Sequence, residues 1–253
     1  MKNKIPLVTH YKKLLFFAFN RFKGKNYTVM REYFADVLIS EVEEFMPLWK
    51  KRVLDVGGAR GEFCRILSHK RKCDAINLDP SPQEFIGGWD KSLTKDKLWL
   101  KTRVGVADSL PFKDNCFDLV ILRGVLEHIP FEKQQKSVNE MYRVTKKNGF
   151  GYIMIPPWYN PHAGHALKPF HILPFKVAKF LRTTLFGTNI NARSLKELNL
   201  YPITFKRMEK MISSAHFKIA ATRDTHLRFH LVTKIPLLRE IMVPAVAFIL
   251  IKE

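Results

Sequence analysis

The chain has 253 residues, three cysteines and a formal net charge of +20 at pH 7. Its 46% hydrophobic content supplies a full core, and the length suits one elaborated domain better than two independent ones. No run approaches the roughly 20 apolar residues of a bilayer-spanning helix, and Cys64, Cys73 and Cys116 are too few and scattered for a disulfide framework, so buried thiols in a reducing cytoplasm are expected.

The charge is unevenly spread. Residues 158–253 hold 15 basic and 5 acidic side chains, half of the whole excess. An excess of this sign implies an anionic partner, either nucleic acid or a membrane surface, unless it only keeps the chain soluble.

In chain order, Lys12–Phe17 and Phe19–Lys23 mix bulky apolar with basic residues, which suits a helix lying in an anionic interface. No small-residue cleavage site follows Leu14–Phe19, so a cleaved signal peptide is not expected. Tyr33–Met46 repeats apolar residues at Phe34, Val37, Leu38, Val42 and Phe45, a helix that could cover a sheet edge. From Lys51 to Pro157 short apolar runs alternate with helical patterns. Strands are expected at Arg52–Val56, Asp74–Leu78, Val104–Ala107, Phe117–Leu122 and Phe150–Ile155. Helices are expected at Gly61–Lys70 and Glu132–Lys146, the second stopped by Asn148-Gly149. Such alternation implies βαβ units and an α/β fold with a parallel sheet. Residues 158–204, rich in Pro, His and aromatics, break the pattern. Leu173, Val177, Phe180, Leu181 and Leu185 there fall on one helical face, away from Lys176, Lys179 and Arg182. A helix at Phe205–Ala215 and strands at Phe217–Thr225 and Pro244–Lys252 close the chain. The 11-residue apolar run Ile241–Ile251, broken by Pro244, reads as part of that buried last strand.

Four motifs carry chemistry. Val53-Leu54-Asp55-Val56-Gly57-Gly58-Ala59-Arg60-Gly61 ends a strand in an acidic residue and a small-residue turn, which brings backbone close to a ligand. Asn77-Leu78-Asp79-Pro80 ends the second strand in a carboxylate able to accept from both ribose hydroxyls. Ala107-Asp108-Ser109 follows the third strand, and Arg123-Gly124-Val125-Leu126-Glu127-His128 follows the fourth. A glycine-rich turn alone is weak evidence, since dinucleotide enzymes use a related one.

In this order and spacing, the four motifs of residues 45–157 resemble the class I S-adenosylmethionine-dependent methyltransferases, particularly the type 11 group. The resemblance implies a doubly wound, mostly parallel, Rossmann-like sheet of seven strands, with N-terminal helices and a substrate-binding insertion after the fifth strand. The implied organisation is a helical cover at 1–48, a cofactor core at 49–157, a recognition or lid insertion at 158–204, and a closing helix and two strands at 205–253. It also implies S-adenosyl-L-methionine as cofactor. Asp55, Gly57, Gly58 and Gly61 would shape the pocket for the methionine portion, and Asp79 with Pro80 would hold the ribose. Asp108 would accept from the adenine amino group beside Ala107 and Ser109, and Arg123 with Gly124 would face the methionine end. Ala59 departs from the pattern, standing where many members have glycine.

The acceptor is less well marked. Ile155-Pro156-Pro157-Trp158-Tyr159-Asn160-Pro161-His162-Ala163-Gly164-His165 follows the fifth strand, not the fourth as in base-amine methyltransferases. It is similar to an element of sugar- or lipid-directed enzymes, which implies O-methylation of a glycan, lipid-linked saccharide or polar lipid. A hydroxyl acceptor calls for a general base, for which His165 stands first, His162 second and His128 third. Gly164 would leave room for acceptor approach beside His165. Glu127-His128 also reads as a cofactor-shaping pair. His162, His165 and His171 are a possible metal set, but no carboxylate or thiolate accompanies them in sequence, and no metal is assigned. An RNA methyltransferase and a silent cofactor-binding scaffold at a membrane are the rival readings; the first lacks an RNA-binding module or aromatic–basic stripe.

Overall fold

The computed structural model describes residues 5–20, 24–59, 61–81 and 101–253. Arg21, Phe22 and Lys23 of the N-terminal basic stretch, and Arg60 of the first turn, lie outside the described residues.

Helices α1 (Leu7–Asn20) and α2 (Gly24–Val42) precede β1 (Arg52–Val56), α3 (Glu62–Arg71), β2 (Asp74–Asp79), β3 (Thr102–Val104) and β4 (Phe117–Arg123). Then follow α4 (Phe131–Val144), β5 (Thr145–Ile155), α5 (Phe175–Phe186), α6 (Phe205–Ser214), β6 (Lys218–Asp224), α7 (Pro236–Met242) and β7 (Val246–Ile251). Seven strands form one sheet in the order β3-β2-β1-β4-β5-β7-β6. β1 to β5 pair in parallel with one another, while β7 runs antiparallel to both β5 and β6. The sheet is thus the expected seven-stranded, mostly parallel α/β sheet.

The central strands read as continuous apolar runs because both faces are covered. Leu54, Val56, Val120 and Leu122 pack on one face with α4 and α6 residues such as Met141 and Met208. Val53, Leu119 and Ile121 pack on the other with Leu38 and Val42 of α2 and Phe63 and Leu67 of α3. Cys64 and Cys73 are buried free thiols, but Cys116 is only half-buried.

Some boundaries differ from the sequence pattern. The third strand is Thr102–Val104, not Val104–Ala107, because pairing with β2 ends at Asp79–Val104; Val104 and Val106 are exposed. Helix α4 stops at Val144, and Asn148 (φ 59°) turns within β5, its N–H donating to Lys252 O at 2.7 Å. α2 begins nine residues before Tyr33 and ends at Val42, so Phe45 and Met46 pack from a turn. Ile241 and Met242 end the short exposed helix α7, and only Val246–Ile251 of that apolar run is strand. Asp118 accepts from the Arg52 N–H (2.8 Å) and Lys146 Nζ (3.0 Å), tying β1 and β5 to β4.

A buried acid, Glu41, stands in the last turn of α2. Tyr152 Oη donates to Glu41 Oε2 at 3.0 Å, and burial pushes the Glu41 carboxyl up to about 7. Above its ordinary 4.5 the native state holds a proton that the unfolded chain has lost, so this contribution to stability falls as pH rises from near 4.5 through 7. Glu41→Gln still accepts from Tyr152 and carries no charge. Thermal melts should show it more stable than the parent at pH 8, by about 1–3 kcal/mol or several degrees, and indistinguishable near pH 5. Equal differences at both pH values would show that Glu41 does not titrate in this way.

Candidate active site

The site is built where β1, β2 and β4 end. After β1, Gly57 (φ 71°), Ala59 (φ 48°) and Gly61 (φ 70°) all adopt the left-handed conformation. Ala59 bears a strain of about 1–2 kcal/mol there. Two bonds hold it: its N–H donates to Asp79 Oδ2 and its carbonyl accepts from Asn77 Nδ2, each at 3.0 Å. A Cβ on Gly58 would collide with Asn77 Oδ1 and the Asp55 carboxylate, and one on Gly57 would meet Val125 Cγ2 at 2.5 Å. The turn therefore presents bare backbone.

Beside it opens a cleft of about 430 Å³. Gly57, Asp79, Pro80, Ala107, Asp108 and Gly124 line it together, with Leu78 and Val125 as apolar walls. Asp79 is held by two amides, from Ala59 on Oδ2 and from Ser81 on Oδ1 (3.0 Å). Each oxygen keeps a second lone pair for a ligand. Asp108 Oδ2 lies 3.3 Å from Lys133 Nζ, a wall residue that the sequence motifs did not mark.

A second cavity, about 250 Å³, shares Gly57 and is lined by Asp55, Gly58 and Arg123 from the sheet edge. Its other side is Met30 and Phe34 of α2, Tyr152 and Met154 of β5, and Thr225 and His226. The N-terminal cover is fastened over it: His10 Nε2 donates to His226 O (2.6 Å), and Tyr11 Oη donates to Leu227 O (2.7 Å). Burial, then His10, holds the His226 imidazole down at about 4. Gly61 and Ser109 line neither cavity; Ser109 is exposed beyond the third strand.

A nucleoside with a charged amino-acid tail fits these groups. Two fixed carboxylates and an apolar wall lie on one side of Gly57, and a carboxylate with an arginine on the other. The glycine cradle between them would be filled by any Cβ.

The fold brings two of the three candidate bases, His165 and His128, together and leaves His162 apart from them. His162, exposed, has its N–H bonded to Asn160 Oδ1 (2.9 Å) and adds to the field at His226. His165 (φ 48°) meets His128 edge to face, ring centroids 4.8 Å apart. His171 is buried and donates from Nε2 to Trp158 O (2.7 Å). Its ring occupies the space where a Gly164 Cβ would stand, so Gly164 makes room for His171 and not for an acceptor. Crowding by burial, then His128, holds His165 at about 4 although the residue keeps an exposed face. The carboxylate that the sequence did not place beside these histidines is Glu127, buried and raised to about 7 by that burial. One ligand atom each from Glu127, His128 and His165 lie within 4.8 Å of one another.

Residues 54–153 match the family model described as a methyltransferase domain. A protein of Mycobacterium sp. (strain JLS), named only as an uncharacterized methyltransferase, is 29% identical over 123 residues, 49% of this chain. That match spans about half of the relative, 46% of its length. An uncharacterized methyltransferase of Mycobacterium leprae (strain Br4923) is 28% identical over 203 residues, covering 78% of this chain and 71% of the relative. In fold, the chain is similar to a geranyl diphosphate methyltransferase in complex with S-adenosylmethionine, with TM-score 0.58 and 11% identity over 89% of this chain and 85% of the other.

Proposed function

We propose, from the premise that this chain carries a class I S-adenosylmethionine-dependent methyltransferase domain, that it methylates an oxygen of a polar lipid or lipid-linked saccharide at a membrane surface. The observation that carries this reading is the meeting of His128, on the cofactor cleft, with His165, on an insertion whose neighbouring groove is both aromatic and basic.

That groove, about 590 Å³, is lined by Phe175, Phe180, Lys176, Lys179 and Arg193. Leu173, Val177, Phe180 and Leu185 are all exposed, where a core-facing helix would bury them. Arg182 Nε donates to Ala166 O (3.0 Å), holding α5 against the turn that bears His165. Apolar side chains beside cations suit an acyl or isoprenoid chain with an anionic headgroup. Among the described residues no helix is long and apolar enough to cross a membrane.

S-adenosylmethionine bound at the cleft supplies an electrophilic methyl on a sulfonium. The chain's own residues do the rest. Asp79 and Asp108 accept from the nucleoside's hydroxyl and amino donors, and the bare Gly57-Gly58 backbone admits the tail. His165 positions the acceptor hydroxyl and accepts its proton as oxygen attacks. Much of the rate comes from orientation of the two reactants. In this reading residues 1–48 cover the cofactor, 49–157 hold it, 158–204 select the acceptor and 205–253 complete the sheet.

Labelled methyl transferred to total cell extract, separated into lipid, glycan, RNA and protein, tests the proposal. Label is expected in the lipid fraction. Replacing Lys176, Lys179 and Arg193 together by glutamine should reduce that label at least tenfold, since each basic residue adds roughly 1 kcal/mol of attraction to an anionic surface. Label in RNA or protein would overturn the acceptor, and no label would overturn the activity.

A further inference from the structure

We infer that Glu127, His128 and His165 form a binding site for one divalent first-row transition-metal ion at the lip of the cofactor cleft. Glu127 is 5% exposed, and its Oε2 has no hydrogen-bond partner among the described residues. Among the described residues no ion pair reaches it. A buried carboxylate oxygen left so is costly unless something cationic completes it. Two imidazoles stand next to it, with one ligand atom from each residue inside a 4.8 Å circle. Ligand atoms about 2.0–2.2 Å from a common ion lie nearer than that, so small side-chain rotations close the set.

The second shell favours ligation. His128 Nδ1 lies 2.8 Å from Asn199 O, and against a carbonyl it must donate. That leaves the lone pair on Nε2, the arrangement in which a ligating histidine is oriented by its other nitrogen. The Tyr201 N–H donates to Glu127 O (2.8 Å), so the insertion clamps this loop at two points. Two histidines and one carboxylate leave coordination positions open and suit Zn²⁺, Co²⁺, Fe²⁺ or Mn²⁺. Gly124 and His128 line the cofactor cleft, so an open position faces the region of methyl transfer. With the ion bound, His165 is a ligand and no longer the base: an acceptor hydroxyl held at the open position would be oriented and acidified by the metal and would release its proton to water. This role, unlike the binding itself, rests on the proposed methyl transfer.

Cobalt(II) is the probe, titrated into the chelator-stripped full chain and read by its visible d–d absorption and by calorimetry. One equivalent should bind, with Glu127→Gln and His165→Asn each weakening it at least tenfold and His69→Ala on the surface leaving it unchanged. Circular dichroism confirms that each variant is folded, and His128→Asn replaces any that is not. No stoichiometric cobalt, or equal binding by the folded variants, overturns the site. Cobalt bound while methyl transfer ignores the chelator overturns only the acceptor-holding role. Cobalt bound with no methyl transfer to any fraction leaves the metal site standing and removes the methyltransferase reading.

Discussion

His165→Ala will lower turnover on a hydroxyl acceptor by a factor of roughly 10²–10⁴ while affinity for S-adenosylmethionine stays within about twofold. His165 lies outside the cofactor walls and touches His128 across an edge-to-face contact, so its loss opens no core cavity. The backbone at φ 48° is the one complication, because alanine tolerates the left-handed region poorly. His165→Asn is the control, since asparagine adopts that conformation readily. Both variants should melt near the parent and both should be slow. A slow alanine variant beside a fast asparagine variant would mean that backbone shape matters and the imidazole does not. Unchanged turnover in both would remove His165 from the reaction.

Asp79→Ala will weaken S-adenosylmethionine binding by about 1.5–3 kcal/mol, roughly 10–150-fold. More than a ribose acceptor is lost. The Ala59 and Ser81 amides now held by Asp79 Oδ2 and Oδ1 would both be released, freeing the strained Ala59. Asp79→Asn keeps one acceptor oxygen and the shape of the side chain, so it should fall between the alanine variant and the parent. Calorimetry with a parallel thermal melt separates the contributions. Alanine losing affinity and asparagine keeping it would assign the loss to the turn and not to the carboxylate charge, and unchanged affinity in both would take Asp79 out of the site.

Legibility in the sequence followed how local each feature is. The turn at Gly57–Gly61 and the carboxylates Asp79 and Asp108 belong to short motifs at strand ends, and the strands order those ends along one edge. The far wall of the second cavity had no such signal, although Asp55, Gly58 and Arg123 on its near side belong to the same motifs. Met30 and Phe34 of α2, Tyr152 of β5 and His226 come from three distant segments, and each reads alone as an ordinary core or surface residue. Val104 and Val106 alternate as strand residues do, yet they are exposed where β3 runs out of partner. Asn148-Gly149 has the composition of a helix stop, but the chain had already turned to strand at Thr145. His171 sat two residues past the Pro169 that follows His165, close enough in sequence to share its role. The fold buries it against Trp158 and brings up Glu127 and His128 from a different loop.

The bonds from His10 to His226 and from Tyr11 to Leu227 join segments 216 residues apart, and Arg228 Nη1 donates to Ile5 O across 223. The wall of the smaller cavity therefore exists only while both distant segments are docked on the sheet. Ligand occupancy and the integrity of the whole chain become one equilibrium. At a free cofactor concentration 100 times its dissociation constant, mass action adds about 2.7 kcal/mol to the folded state. When the pool is depleted that increment vanishes. The chain's lifetime in a cell thereby becomes a gauge of its cofactor supply.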